Sequence, residues 1–367
     1  MVDKNNLVAK VRQSPPIDTS TTYDLSNVKD KTVVITGGAS GFGAGLCIKW
    51  AEHGANVIIA DINTDKGNQL ISELRKSTGN ENLHFVYCDV TDWQSQVDLF
   101  KKAVKLSPHG GIDTVLANAG IIEAGTPLER PVGLDADEPP KPVFKTLDVN
   151  LIGVLYTTHL ALFYLPRNPD SKPANLETSP TQSMRDRHLL LTGSTASLNL
   201  VSGAPLYGVS KHGVLGLFRN LRGTSFVHGV RVNMICPYFI DTPLLPPSVH
   251  RLLAGGAMGE IEDVVDAASR FVADQSIAGR SLVISGKTHV EQKEDGQWEY
   301  VGRETAKSEE KAVWECYADD FEECEVFVRN MISILNSATR ARGWTGWLGD
   351  HLAATASTFK SLVGLRK

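Results

Sequence analysis

The stretch STASLNLVSGAPLYGVSK, from Ser194 to Lys211, places a hydroxyl, a phenol and an amine close together in the chain. Tyr207 and Lys211 are four positions apart, so on a helix they share one face. A free phenol titrates at about 10 and is a poor base at neutral pH, but a fixed cation beside it favours the anion. A phenol tuned in that way takes a proton from an alcohol. Ser194 follows an apolar run, where the carboxyl edge of an open α/β sheet binds ligands, and its hydroxyl is suited to hold the same oxygen. On spacing alone the set is weak, because many surface helices carry Tyr-x-x-x-Lys.

A second group of residues suits a nucleotide. TGGASGFG, from Thr36 to Gly43, ends one apolar run and opens a helical pattern. Gly37, Gly41 and Gly43 permit a tight turn, close approach to a pyrophosphate and close helix packing, and the helix start offers unpaired N–H groups to the anion. Asp61 ends the next apolar run, where a carboxylate accepts hydrogen bonds from the adenosine ribose. A 2′-phosphate meets its charge, and no Arg or Lys lies in the glycine loop or directly after Asp61, so NAD is expected rather than NADP. Asp89 closes the third run near the expected adenine edge. Both acids also suit helix capping, although Asn63 and Thr64 stand ready to cap the helix after Asp61.

These residues need a parallel sheet to hold them. Residues 1–28 are polar, contain Pro15 and Pro16 and show no helical or strand period, which reads as an arm. From Lys31, strand-like runs (TVVITGG, NVIIADI, HFVYCDV, DTVLANAG, HLLLTGS, VRVNMICP) alternate with helical patterns, as in βαβ units covered on both faces. Proline-rich interruptions at 123–142 and 166–187 read as surface loops. RSLVISG, ending at Gly286, is the last expected strand. The expected fold is therefore α/β: a single doubly wound parallel sheet over residues 29–290, with a helical extension over 291–367. In that extension Trp314, Tyr317, Phe321, Cys324, Val328, Met331 and Leu335 recur at helical spacing, Glu309, Glu310, Arg340 and Arg342 suit a helix dipole, and a second amphipathic helix is expected around Trp344 to Leu362.

Composition narrows the class. The 367 residues are 42% hydrophobic and 22% charged, as in globular proteins, with a net charge of −5 and no large basic surface for nucleic acid. Five scattered cysteines without a C-x-x-C pair suggest neither a metal site nor a disulfide framework, and so a reducing, cytoplasmic setting. No run reaches the roughly 18 apolar residues of a spanning helix.

Taken together, the motifs resemble the short-chain dehydrogenase/reductase superfamily. The likeness runs from about Asp30 to Gly286 and rests on TGGASGFG, Asp61, CDV at 88–90, NAG at 118–120, VNLIGV around Asn150, Ser194, YGVSK at 207–211 and NMICPYFIDTP from Asn233 to Pro243. It implies an NAD-dependent oxidoreductase with four catalytic positions. Tyr207 would be the acid/base, Lys211 would lower its pKa and hold the nicotinamide ribose, Ser194 would orient the substrate oxygen, and Asn150 would anchor a water. The implied cofactor wall comprises Thr36, Gly37, Ser40, Gly41, Phe42, Gly43, Asp61, Ile62, Asp89, Val90, Asn118, Ala119, Gly120, Tyr207, Lys211, Pro237, Ile240 and Thr242. YGVSKHGVLGLFR and VRVNMICPYFIDT look most like the branch containing 15-hydroxyprostaglandin dehydrogenase, except that Tyr238 stands where the family usually has glycine.

Substrate loops are expected at 123–145, 197–206 and 244–260. Their Leu198, Leu200, Val201, Leu206, Leu244, Leu245 and Met258, with nearby Phe239, favour a bulky, mostly apolar alcohol or ketone, such as a secondary metabolite. A homodimer or homotetramer is the expected assembly. Two other functions use the same residues: a non-redox isomerase or cyclase that retains its cofactor, and a dinucleotide-sensing scaffold.

Overall fold

The computed structural model describes residues 14–317, apart from 126–127, 130–132, 175–184, 243–244, 246–252, 254–257 and 295, together with isolated positions beyond 317. Residues Gln13–Ala318 form one compact unit, and Met1–Arg12 with Asp319–Lys367 form another that lies almost wholly outside the described residues.

The strands are β1 (Thr32–Thr36), β2 (Asn56–Asp61), β3 (Leu83–Tyr87), β4 (Thr114–Ala117), β5 (His188–Thr192), β6 (Arg231–Pro237), β7 (Ser281–Gln292), β8 (Trp298–Tyr300) and β9 (Glu309–Cys316). They pair in the order β3-β2-β1-β4-β5-β6-β7-β8, with β9 also on β7. From β3 to β7 every pairing is parallel. Strand side chains alternate faces, and here both faces are covered. Val33, Ile35, Val57 and Ile59 join one core with Leu46, Trp50, Val264 and Phe271, whereas Val34, Ile58 and Val115 join another with Leu99, Phe100, Val214 and Phe218. That double burial is why the strands read as unbroken apolar runs.

The helices on these faces are α1 (Gly41–Glu52), α2 (Thr64–Thr78), α3 (Trp93–Leu106), α4, α5 (Pro205–Thr224) and α6 (Ile261–Ala273). Helix α4 joins Lys145–Leu147, a π-helical turn at Asp148–Gly153, and Val154–Tyr164. By length and hydropathy the segment Lys145–Arg167 suits a membrane. Here it is a core helix, with Val154, Leu160, Ala161 and Leu165 packed under the sheet.

At the amino edge of the sheet, Asp186 binds Arg231 at 2.7 Å and Lys31 at 3.2 Å, all three buried. Asp113 beside them accepts from the backbone of Thr32 and Asp186 at 2.8 Å each. Charges buried this deeply persist only when paired, so the cluster fixes where β1, β4, β5 and β6 begin.

Two expectations about the ends are corrected. The sheet does not stop at Gly286: β7 continues to Gln292, and β8 and β9 add to it antiparallel. Trp314 therefore lies on a strand and does not open a helix, and Glu309 and Glu310 lie on that strand too. The long edge of β7 offers unpaired backbone groups, and pairing with it prevails over the three-and-four spacing. Phe321, Cys324, Val328, Met331, Leu335, Arg340, Arg342 and the second tail helix lie outside the described residues. The described part of the arm is docked: Ser14 bonds Ala278, Thr19 bonds Val313, and Leu25–Val28 forms a 3-10 turn capped by Asp24.

Candidate active site

Strand order reverses between β1 and β4, so the crevice opens where these two strands end. Thr36 closes β1, and its buried hydroxyl accepts from the amides of Asn118 and Ala119 at 3.0 and 3.2 Å. The Asn118 side chain donates to the carbonyls of Thr36 and Gly37 at 3.0 Å each. These bonds join the glycine loop to the end of β4 so tightly that side chains are excluded. A Cβ on Gly37, where φ is +66°, would lie 2.7 Å from Ala119 Cα, and one on Gly43 would lie 2.3 Å from the Gly37 carbonyl oxygen. Helix α1 then begins with Ser40 as an N-cap whose side chain makes no cap bond, leaving the first turn open to an anion.

Asp61 is not a helix cap. Asn63 caps α2 by accepting from Lys66 at 3.0 Å, whereas the Asp61 carboxylate accepts from Ala39 at 3.1 Å and Asn63 at 2.9 Å and faces the cleft. Asp89 is likewise spared, because Asp92 caps α3. One Asp89 oxygen holds the Thr91 amide and hydroxyl at 2.9 and 2.8 Å.

Ser194 stands just beyond β5 and caps the short turn Thr195–Ser197, accepting from Ala196 at 3.1 Å and donating to the Pro237 carbonyl at 3.2 Å. Ser197 ties this turn to α5 through the Lys211 carbonyl at 2.8 Å. Tyr207 and Lys211 share a face of α5, with Lys211 Nζ 5.8 Å from the phenol ring centre. Lys211 is buried and donates to the Thr192 carbonyl at 3.0 Å. Burial pushes its amine down to about 8.

Burial also pushes the Tyr207 phenol above its ordinary value, with the Ser194 hydroxyl acting against it. Burial thus acts on the two groups in opposite senses, raising the phenol and lowering the amine. Asn150 is buried in the π-helical turn and clamped by Ile121, exchanging two bonds of 2.8 Å with its backbone. Position 120 is where Asn150 and Lys211 meet: a Cβ there would be 3.5 Å from Asn150 Oδ1 and 3.9 Å from Lys211 Nζ.

These elements enclose a cleft of about 370 Å³. Of the expected residues, Gly37, Ser40, Gly41, Phe42, Gly43, Asp61, Ile62, Asp89, Val90, Asn118, Ala119, Gly120, Ser194, Tyr207, Lys211, Pro237 and Thr242 line it. Thr36, Asn150 and Ile240 do not: all three are buried behind the wall, and Ile240 bridges to Gly259. The wall also holds Cys88, Thr91, Ile121, Lys145, Val149, Thr192 and Gly193, to which sequence reading gave no role of their own, although Cys88 and Val149 lie within its motifs and Lys145 ends its first substrate loop. Most of the expected substrate loop 244–260 lies outside the described residues, and two of the expected apolar residues elsewhere do not face the cleft. Leu206 is core, 2% exposed, because the second residue of α5 faces inward, and Leu200 is 87% exposed. Leu244 lies outside the described residues. Tyr238 does line the cleft, 41% exposed and edge-on to Phe239 at 4.7 Å.

The profile of the short chain dehydrogenases matches residues 31–251. The chain belongs to that family. This short chain dehydrogenase is 35% identical over 295 residues to 5'-hydroxyaverantin dehydrogenase of Dothistroma septosporum, across 75% of this chain and 91% of that protein. It is 34% identical over 265 residues to an NADP-dependent dehydrogenase of Cochliobolus lunatus, across 68% and 86% of the two chains. A short-chain type dehydrogenase/reductase from Mycobacterium marinum shares the fold, with a TM-score of 0.58 at 24% identity over 72% of this chain and 97% of that one. The family binds a nicotinamide dinucleotide. The cleft fits one: the glycine cradle excludes side chains, the start of α1 is open, and the buried Asn118 Oδ1 at the cleft has no hydrogen-bond partner among the described residues.

Proposed function

We propose that this enzyme is an NAD-dependent dehydrogenase that interconverts a secondary alcohol and a ketone on a bulky, mostly apolar small molecule of the secondary-metabolite kind. The observation that carries the reading is that Ser194, Tyr207 and Lys211 face one cleft whose other end holds Asp61. When bound, NAD supplies the acceptor for the hydride leaving the carbinol carbon. In the oxidative direction Tyr207 acts as the phenolate: the Ser194 hydroxyl holds the carbinol oxygen, and the Tyr207 phenolate oxygen takes the carbinol proton and becomes the neutral phenol. The Lys211 amine lies beside the ring as a fixed cation, and Asn150, behind it, fixes the loop at Ile121. In the reverse direction Tyr207 returns the proton to the ketone oxygen. Tyr238, an aromatic face in the wall, supports a large apolar substrate.

Purified protein with NAD and a panel of bulky secondary alcohols is expected to accumulate reduced cofactor, measured by absorbance, and Tyr207→Phe to abolish it. Substrate conversion without net cofactor reduction refutes the redox reading and favours an isomerase or cyclase.

The proposal extends to a homodimer or homotetramer in the cytoplasm. Ile152, Leu155 and Phe163 recur along α4 and are 38, 38 and 48% exposed, and Val209 on α5 is 54% exposed, which suits a contact between copies. The buried thiols of Cys47, Cys88 and Cys236 suit a reducing compartment. Light scattering after gel filtration tests the assembly, and a monomer at micromolar concentration refutes it.

A further inference from the structure

We infer that Glu123, in the loop that leaves β4, is a positioning residue: its carboxylate caps the helix that carries Tyr207 and thereby fixes the phenol in the cleft. This rests on the reading of Tyr207 as the acid/base.

Helix α5 cannot cap itself. Ala204 at its N-cap makes no side-chain bond, and Pro205 in the first turn has no N–H. The first amides that need acceptors are those of Leu206 and Tyr207, the positions an N-cap side chain would ordinarily satisfy. Glu123 supplies both: one carboxylate oxygen accepts from Leu206 at 3.2 Å and the other from Tyr207 at 2.8 Å. A carboxylate at that end also complements the helix dipole.

The loop bearing Glu123 is held on either side. Ile121 is clamped by Asn150, and the Thr146 hydroxyl accepts from Ala124 N–H at 2.8 Å. Tyr207 is tied to the same region a second time. Ser210 Oγ donates to the Tyr207 carbonyl at 2.7 Å and lies 3.3 Å from Asn150 Nδ2, which donates to it. Both backbone groups of the tyrosine thus connect to the β4–α4 side of the cleft, the N–H through Glu123 and the C=O through Ser210 and Asn150. An ordinary cap steadies a helix; this one sits on the backbone of the residue whose phenol moves the proton. Misplacement of a reacting group by about 1 Å is enough to cost roughly 100-fold in rate.

The test compares full-length wild type, Glu123→Ala, Glu123→Gln and Tyr207→Phe. In Glu123→Ala, hydrogen exchange at the amides of Leu206 and Tyr207 is expected to rise about tenfold or more, while amides from Val214 to Phe218 keep their protection. With the alcohol from the panel that wild type oxidises fastest, kcat falls about tenfold or more while the Kd for NAD and the KM for the alcohol stay within about threefold. Glu123→Gln, which keeps one acceptor oxygen, recovers part of both losses. Unchanged exchange at Leu206 and Tyr207 overturns the cap, and raised exchange with wild-type kcat overturns the positioning role. If Tyr207→Phe turns over like wild type, the acid/base reading fails while the exchange result still decides the cap.

Discussion

Replacing Asp61 by asparagine isolates its charge, because the side chain keeps its size and one acceptor oxygen. In the wild type the carboxylate holds two loop amides, from Ala39 at 3.1 Å and Asn63 at 2.9 Å, so it is fixed at the cleft wall before any ligand arrives. A 2′-phosphate placed at about 4 Å feels about 1 kcal/mol per pair of charges in a water-like medium and about 4 kcal/mol at an effective dielectric of about 20. For a half-buried wall residue about 2–3 kcal/mol is appropriate, which makes NADP bind roughly 30- to 150-fold more weakly than NAD. Loss of the charged acceptor weakens NAD by about 1.5 kcal/mol, roughly tenfold, and relief of repulsion strengthens NADP by a similar factor. Calorimetric Kd values for both cofactors, with wild type and Asp61→Asn, measure the ratio directly. Added salt should narrow the wild-type ratio, since exposed charges are screened. A wild type that binds NADP within about threefold of NAD, or a variant that weakens both equally, refutes the argument and reduces Asp61 to a brace for Ala39.

Other expectations follow from the same geometry. Gly43→Ala forces a methyl to within 2.3 Å of the Gly37 carbonyl oxygen, so cofactor binding should weaken by about 1–3 kcal/mol while far-ultraviolet circular dichroism stays native. Tyr238→Ala should raise KM for a bulky apolar alcohol roughly tenfold and leave the Kd for NAD unchanged; an unchanged KM removes Tyr238 from the substrate wall. Asp186→Asn leaves Arg231 and Lys31 buried without their counter-charge and should cost about 3–5 kcal/mol in urea unfolding at neutral pH. Burial works to raise the Asp186 carboxylate, but Arg231 and Lys31 hold it far below its ordinary value. Its stabilisation is therefore complete above the unfolded pKa near 4 and is lost as the pH falls below it, so wild-type stability should decline more steeply in acid than that of the variant.

What the sequence reveals and what it hides divide by the range of the forces involved. Strands buried on both faces, such as Thr32–Thr36, announce themselves as apolar runs, and Gly37 and Gly43 are needed by contacts within one βα turn and its neighbour. The pairing of Tyr207 with Lys211 depends on helix period alone. By contrast β9 depends on pairing with β7, some thirty residues earlier, and a helical period in its sequence says nothing of that edge. The cap of α5 comes from 84 positions away in the case of Tyr207, so the local sequence shows only its absence at Ala204 and Pro205. The electrostatics of the dyad were illegible for the same reason: spacing puts an amine beside a phenol, but tertiary burial pushes the phenol up and the amine down.

The two edges of the sheet use charge in different ways. At the amino edge Asp186 spends its charge on Arg231 and Lys31, and Asp113 pairs with Arg185 at 3.1 Å. Such pairs neutralise one another and offer an incoming ligand little field. At the carboxyl edge the charged groups hold backbone instead: Asp61 holds the amides of Ala39 and Asn63, Glu123 those of Leu206 and Tyr207, and Lys211 the carbonyl of Thr192. A hydrogen bond to an amide fixes a carboxylate in place without cancelling its charge, as a salt bridge would. These groups are therefore oriented before any ligand arrives, the preorganisation that a site for ribose hydroxyls and a reacting carbinol requires. Replacing such a backbone partnership with an ion pair would stabilise the fold and weaken the site, which is why the buried salt bridges lie at the opposite end of the same strands.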